Sequence, residues 1–443
     1  MYITSIKIEN LRCFEEAELT FQYPGRELKT PLRFPNINLL LGDNGAGKTT
    51  VLKAIAMTEL SPVVQQSGFV PYRLVRRSNA ELTFKSDKRK AIPVSKAVIR
   101  AANILHVQDT GNFPIRKNQP FLSIEIRRNG DIESMISGSE GAAPVLPHGY
   151  WSQMYEDTSS AFLLVGYGAS RLIEDSEKVD LNARRKNRLL RYERVAGLFE
   201  GFVSLIPLAL WLPNLRKENP GRHKQVVNLI NRLLPESASF EGEFEQGEYL
   251  FEVNGTKAPF GALSDGYRAY IGWIADLLYH VCMGAPKGAK LVDNRGIVLV
   301  DEIDLHLHPE WQRSVISTIS ETLPNLQFVF TTHSPIVAGS LDKENIFVME
   351  PTANGASVVK QYDEQIYGHN AEQVLLSSYF NMTTTRAEPF VDELKDLSIK
   401  AGEGDLKAAL SFMEKLSSPT NGTSHHKVKS KPKKASRKPV KNK

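Results

Sequence analysis

What this sequence lacks narrows it first. Among 443 residues there are two cysteines, Cys13 and Cys282. Two thiols cannot build a disulfide framework, which points to a reducing cytoplasm rather than a cysteine-stapled secreted domain. No apolar run is long enough for a bilayer. The most apolar stretch, Phe202 to Leu212, contains Pro207 and falls well short of the ~20 residues a spanning helix needs; it reads as a buried helix or interface segment. The pattern of a leader is missing too, since Met1-Tyr-Ile-Thr runs straight into strand-like alternation. No internal repeat is seen. The tail 424–443 lacks acids altogether: eight lysines and Arg437 put +9 there, more than the +5 of the whole chain, so the remainder is near −4. Rich in Lys, Ser and Pro, that tail is expected to be disordered. Non-specific nucleic-acid affinity and simple solubilisation suit it equally.

What is present is ordinary globular material, 41% hydrophobic and 24% charged, in a chain long enough for two or three domains. Ile3, Ile6 and Ile8, then Leu19 and Phe21, suggest strands around a turn. Ile37–Leu41 is a continuous apolar run, as in a strand covered on both faces. From about 60 to 160 the chain looks irregular, except for the alternation Leu122, Ile124, Ile126 before the turn signal Asn129-Gly130. Phe162–Val165 is another short apolar run, ending in Gly166-Tyr-Gly-Ala-Ser-Arg171. Val226, Val227, Ile230, Leu233 and Leu234 have helical spacing, and Tyr249–Val253 with Asn254-Gly255 reads as a hairpin. The strands Ile297–Val300 and Phe328–Phe330 complete a parallel α/β pattern. Near the end, Phe390, Leu394, Leu397 and then Leu406, Ala409, Leu410, Met413, Leu416 predict a helical hairpin, broken by Gly402 and Gly404, with Asp405 as N-cap.

Three motifs carry chemistry. Gly42-Asp-Asn44-Gly45-Ala-Gly47-Lys48-Thr49 fits G-x-x-x-x-G-K-[ST], between an apolar strand and a helix. Glycines let backbone N–H groups close around phosphate oxygens, and the helix N-terminus favours the same anion. Asn44, Gly45, Gly47, Lys48, Thr49 and Thr50 are therefore candidates for nucleotide contact, with Lys48 bridging the β- and γ-phosphates and Thr49 holding Mg²⁺. The apolar strand Ile297–Val300 ends in Asp301-Glu302, placing Asp301 beside the metal and Glu302 on the attacking water. Phe328–Phe330 leads to Thr-Thr-His333, a histidine able to donate to the γ-phosphate.

Leu263-Ser264-Asp265-Gly266-Tyr267, ahead of a helical pattern, resembles the divergent signature of ABC ATPases seen in SMC-like and RecF-like relatives. The resemblance implies that Ser264 and Gly266 cap the γ-phosphate held by an opposite subunit, giving a homodimer or higher homo-oligomer. Asp301-Glu-Ile-Asp304-Leu-His306-Leu-His308-Pro309 looks like the stand-alone RecF/OLD branch, with Asp304 and His306 in a loop that communicates across the dimer. The Gly166–Arg171 segment and Ile366-Tyr-Gly, followed by a helical hairpin, resemble virulence-associated ATP-binding proteins that include Septu-type antiphage ATPases. The sequence departs from the family pattern in having no convincing Q-loop glutamine; the segment ending at Arg171 takes that place. OLD-type relatives also carry a nuclease domain needing Asp-x-Asp, and none follows His333.

The expected fold is an α/β ABC-type ATPase head with a parallel sheet, an antiparallel β subdomain, a helical insertion and a C-terminal helical hairpin. The expected divisions are an N-terminal lobe at 1–171, a helical insertion at 172–245, a C-terminal lobe at 246–350, a helical appendix at 351–420 and a basic tail at 421–443. The resemblance implies an ATP- and Mg²⁺-dependent, hydrolysing switch, cytoplasmic and without a membrane role, controlling a separate nuclease or toxin in antiphage defence. Its rival is a RecF-like repair ATPase acting on DNA. The basic stretch Arg184, Arg185, Lys186, Arg188, Arg191 and Arg194 suits DNA phosphates, a solvated helix face or a partner surface. An ATP-glued scaffold is a third reading. A transporter subunit fits less well, because the signature lacks a second glycine and a glutamine. No structural metal is expected.

Overall fold

The structure, a computed structural model, describes residues 1–77, 95–106, 109, 121–137, 156, 159–174, 179 and 189–417. The lysine-rich tail and the basic residues Arg184, Arg185, Lys186 and Arg188 lie outside the described residues.

An eleven-stranded mixed sheet organises the chain. Its antiparallel arm is β1 (Tyr2–Leu11), β2 (Phe14–Thr20), β4 (Lys96–Ile104), β5 (Phe121–Asn129) and β6 (Ile132–Ser137). Its parallel core is β3 (Ile37–Gly42), β7 (Leu164–Tyr167), β12 (Gly296–Val300), β13 (Leu326–Thr331) and β14 (Ile346–Pro351). The strand β15 (Ser357–Lys360) runs back along β14 and meets β2. The full order is β6-β5-β4-β1-β2-β15-β14-β3-β13-β12-β7. A smaller sheet comprises β8 (Ala238–Ser239), β9 (Phe244–Glu245), β10 (Glu248–Val253) and β11 (Thr256–Pro259). Asn254 and Gly255, with φ of 51° and 77°, make the β10–β11 turn, as that dipeptide favours.

The apolar runs are continuous because both faces of the core are covered. Ile37, Leu39 and Leu41 of β3 join one hydrophobic cluster while Leu40 joins the other. In β12, Val298 and Val300 face one way and Ile297 and Leu299 the other. One face packs against α1 (Lys48–Glu59), α2 (Ser61–Gln66) and α3 (Leu190–Phe199). The other packs against α4 (Leu208–Glu218), α5 (Pro220–Leu233), α6 (Asp265–Gly284) and α7 (Pro309–Thr322). Shorter helices α8 (Pro335–Ala338) and α9 (Ala371–Leu375) follow, then α10 (Glu388–Gly402) and α11 (Leu406–Ser417).

Two features differ from the sequence reading. Residues 96–104 form a regular strand inside the stretch expected to be irregular, because small buried Ala97 and Ala101 alternate with Ile99 in place of large apolar residues. The first compact unit extends from Met1 to Met382, past the expected start of the appendix at 351, since β15 belongs to the main sheet. The second unit, from Thr383 onward, holds the hairpin α10–α11, where Asp405 Oδ1 accepts from the amides of Lys407 (2.9 Å) and Ala408 (3.2 Å) as an N-cap.

Candidate nucleotide site

Ligands of open parallel sheets bind beyond the carboxyl ends of the strands, and the motif residues lie there. β3 ends at Gly42 and turns into α1 through Gly45 (φ 83°) and Gly47 (φ 109°). At Gly45 only the backbone conformation requires glycine, since an added Cβ would meet nothing within 4 Å. At Gly47 space requires it as well: a Cβ would sit 2.5 Å from the Phe14 ring and 2.6 Å from the Cys13 sulfur. The first turn of α1 holds no acidic side chain, so its positive end is uncompensated. This narrow, glycine-lined cradle fits a phosphate chain.

Lys48, the first residue of α1, is buried. Its Nζ donates to the carbonyls of Gly42 (2.7 Å) and Asp43 (3.1 Å) and lies 2.9 Å from His333 Nε2. Burial lowers the lysine pKa, while Asp301, Glu302, Asp43 and Asp304 oppose that shift. Thr49 Oγ1 donates to Asp301 Oδ2 at 2.7 Å. A hydroxyl and a carboxylate this close are hard oxygen donors of the kind Mg²⁺ takes. Thr50 is buried and Asn44 is exposed on the loop.

The third strand end adds a residue that sequence reasoning missed. Thr331 closes β13, and its Oγ1 donates to Asp301 Oδ1 (2.6 Å) while accepting from the Glu302 amide (2.7 Å). A threonine at a strand end carries no distinguishing signal, although the adjoining Thr331-Thr332-His333 run could have drawn attention to it. Glu302 has φ 50°, a left-handed conformation in a non-glycine residue. Its carbonyl accepts from Arg171 Nη2 at 2.7 Å. Burial lowers the guanidinium pKa, against the pull of Asp301, Asp304 and Glu302.

Ser264 is exposed at the N-cap of α6, and its hydroxyl makes no capping bond. A Cβ at Gly266 would lie 2.9 Å from the His306 carbonyl, so glycine lets the start of α6 approach the loop that follows Glu302. Thr332 Oγ1 donates to Asp304 in that loop. Among the described residues, no hydrogen bond joins Ser264 or Gly266 to residues 42–49. Arg191 and Arg194, from the basic stretch, are each only 2% exposed. Arg191 donates inward, to the carbonyls of Ala161, Phe162 (3.3 Å) and Ser159 (3.2 Å). Their burial leaves these two side chains little surface to offer a nucleic-acid backbone.

Residues 5–137 match the family described as "AAA domain", and residues 159–338 match "AAA domain, putative AbiEii toxin, Type IV TA system". These matches make the chain similar to AAA-domain ATPases, and its curated relatives include Septu and retron proteins. Over 88% of its length the chain is 28% identical to the retron Vc95 probable ATPase of Vibrio cholerae serotype O1 biovar El Tor, covering 86% of that protein. It is 25% identical over 89% of its length to the Septu protein PtuA of Bacillus mycoides strain KBAB4, spanning only 46% of that relative. Among solved structures it resembles the SMC head domain from Thermotoga maritima, at 14% identity and a TM-score of 0.43, covering 82% of this chain and 100% of that one.

Proposed function

We propose that the chain hydrolyses ATP as a switch, with two copies arranged head to tail around two nucleotides, and that the switch governs a separate nuclease or toxin in antiphage defence. One observation carries this reading: three parallel strand ends bring Lys48 to His333 (2.9 Å) and Thr49 to Asp301 (2.7 Å). In this scheme the loop amides and Lys48 hold the triphosphate, Thr49 and Asp301 hold Mg²⁺, and His333 donates to the γ-phosphate. Magnesium, when bound, neutralises charge on the β- and γ-phosphates. Glu302 orients the attacking water and takes its proton. Ser264, Gly266 and the N-terminus of α6 reach the nucleotide of the other copy, a role suited to an exposed hydroxyl that caps nothing in its own chain.

The effector half of the proposal draws on the relatives, whose names place them in Septu and retron systems. It is supported by the hairpin α10–α11, where Leu406, Leu410 and Met413 follow one helical stripe and are 77%, 63% and 68% exposed. An apolar stripe of this kind suits a protein partner. Among the described residues no helix is long and apolar enough to cross a membrane, and the proposed setting is the cytoplasm.

The Glu302→Gln variant tests the scheme. Phosphate release should fall by about 10²–10⁴-fold, and light scattering with ATP and Mg²⁺ should show a stable dimer. A variant that stays monomeric with ATP bound would sink the head-to-tail arrangement. Expressed with its genomic neighbours, the same variant should copurify with a nuclease or toxin; copurification of DNA alone would favour the repair ATPase.

A further inference from the structure

The catalytic role proposed for Glu302 depends on a backbone conformation that must be held in place. A non-glycine residue in the left-handed region is strained and persists only where its surroundings fix it. At φ 50°, Glu302 is fixed from both sides. Its amide donates to Thr331 Oγ1 at 2.7 Å, and its carbonyl accepts from Arg171 Nη2 at 2.7 Å and from the Leu305 amide at 3.1 Å. The Thr331 and Leu305 bonds come from neighbouring turns of the same site. The arginine bond comes from a different segment and brings a positive charge.

We infer that Arg171 is a positioning residue for hydrolysis: its guanidinium grips the Glu302 carbonyl and so aims the neighbouring carboxylate at the attacking water. The inference rests on the ATPase reading above and extends it to the position where no Q-loop glutamine is found. Three further observations support it. The 301–304 turn carries Asp301, Glu302 and Asp304 within four residues, and the arginine charge acts on all three. Together with Lys48, it offsets their mutual repulsion. Arg171 is also firmly mounted. It follows β7, which pairs in parallel register with β12 up to Tyr167 opposite Val300, so only three residues separate it from the sheet. The end of β7 is clamped: a Cβ at Gly168 would lie 2.3 Å from the Gly197 carbonyl on α3, and Tyr167 Oη donates to Asp276 of α6 at 2.7 Å. Finally, the guanidinium is planar and weakly hydrated, so it tolerates this half-buried setting better than an ammonium would.

The test compares the parent protein with Arg171→Met and Arg171→Lys, by steady-state ATP hydrolysis and by amide hydrogen exchange over 301–308 without nucleotide. For Arg171→Met, kcat should drop about 100-fold, the scale of a small misplacement at a reacting centre, while KM stays near the parent value. Exchange of the Ile303 and Leu305 amides should quicken as the turn loosens. If the methionine variant does not fold, the lysine variant carries the test, because it keeps the charge but loses the planar fork. It should show a smaller drop in kcat, about tenfold, again at constant KM. A kcat within twofold of the parent, with unchanged exchange, overturns the inference in either variant. So does a raised KM at unchanged kcat, which would make Arg171 a nucleotide contact. A parent that binds ATP yet releases no phosphate sinks the ATPase reading itself, whereas an active parent matched by its Arg171 variants sinks this inference alone.

Discussion

At the end of α1, Glu59 is wholly buried, and among the described residues neither of its carboxylate oxygens meets hydrogen-bond geometry, although Asn103 lies beside it. Burial pushes its carboxyl up to about 8, against smaller pulls from Asn103 and the chain's first ammonium. The folded state therefore keeps a proton that the unfolded chain releases near its ordinary value, so stability declines as pH rises from about 4.5 to 8. The Glu59→Gln variant should be the more stable protein at pH 8, and its melting temperature should lose less between pH 5 and pH 8 than the parent's. Calorimetry across that range checks it; parallel pH profiles would count against it. Glu59 also marks a limit of sequence reading, because a glutamate in a helix looks like surface. Arg191 and Arg194 misled in the same way. That Lys48, Thr49, Asp301, Glu302 and His333 lie just beyond strand ends was readable because the short apolar runs before them mark buried strands. Thr331 was not, since its role depends on a neighbour thirty residues away in sequence.

At the scale of elements, the continuous apolar runs of β3, β12 and β13 were legible because strands covered on both faces tolerate little else. β4 was not, for its small alanines imitate a loop. β15 escaped notice because four residues with one half-buried face give too short a period to detect. The clamp between β7 and α6 belongs to this level. Asp276 Oδ2 accepts from Tyr167 Oη (2.7 Å), and Oδ1 accepts from the Ile206 amide (2.7 Å), all within the buried interior. The Tyr167→Phe variant removes one of these donors from a buried carboxylate and should destabilise the fold by about 1–3 kcal/mol. Urea unfolding would show the midpoint move; an unchanged midpoint would mean that solvent or another donor replaces the hydroxyl.

For the whole molecule, every residue placed in the nucleotide site lies in the unit Met1–Met382, and the exposed apolar stripe lies in the unit that begins at Thr383. A chain cut after Met382 should keep its ATP affinity, measured with a fluorescent nucleotide, and lose copurification of the effector. Loss of ATP binding on truncation would show that the second unit supports the first. The order of the parallel core has a further consequence. β3, which ends in the phosphate loop, lies between β14 and β13, and these strands come roughly 300 residues later in the chain. At about 5–20 residues per second, a ribosome needs about 15–60 s to supply them. Until then β3 has neither of its sheet neighbours, and the loop that follows it lacks the strands that flank it in the folded sheet. Under the proposed head-to-tail scheme, a nascent copy would have no formed phosphate loop to bring to a second copy.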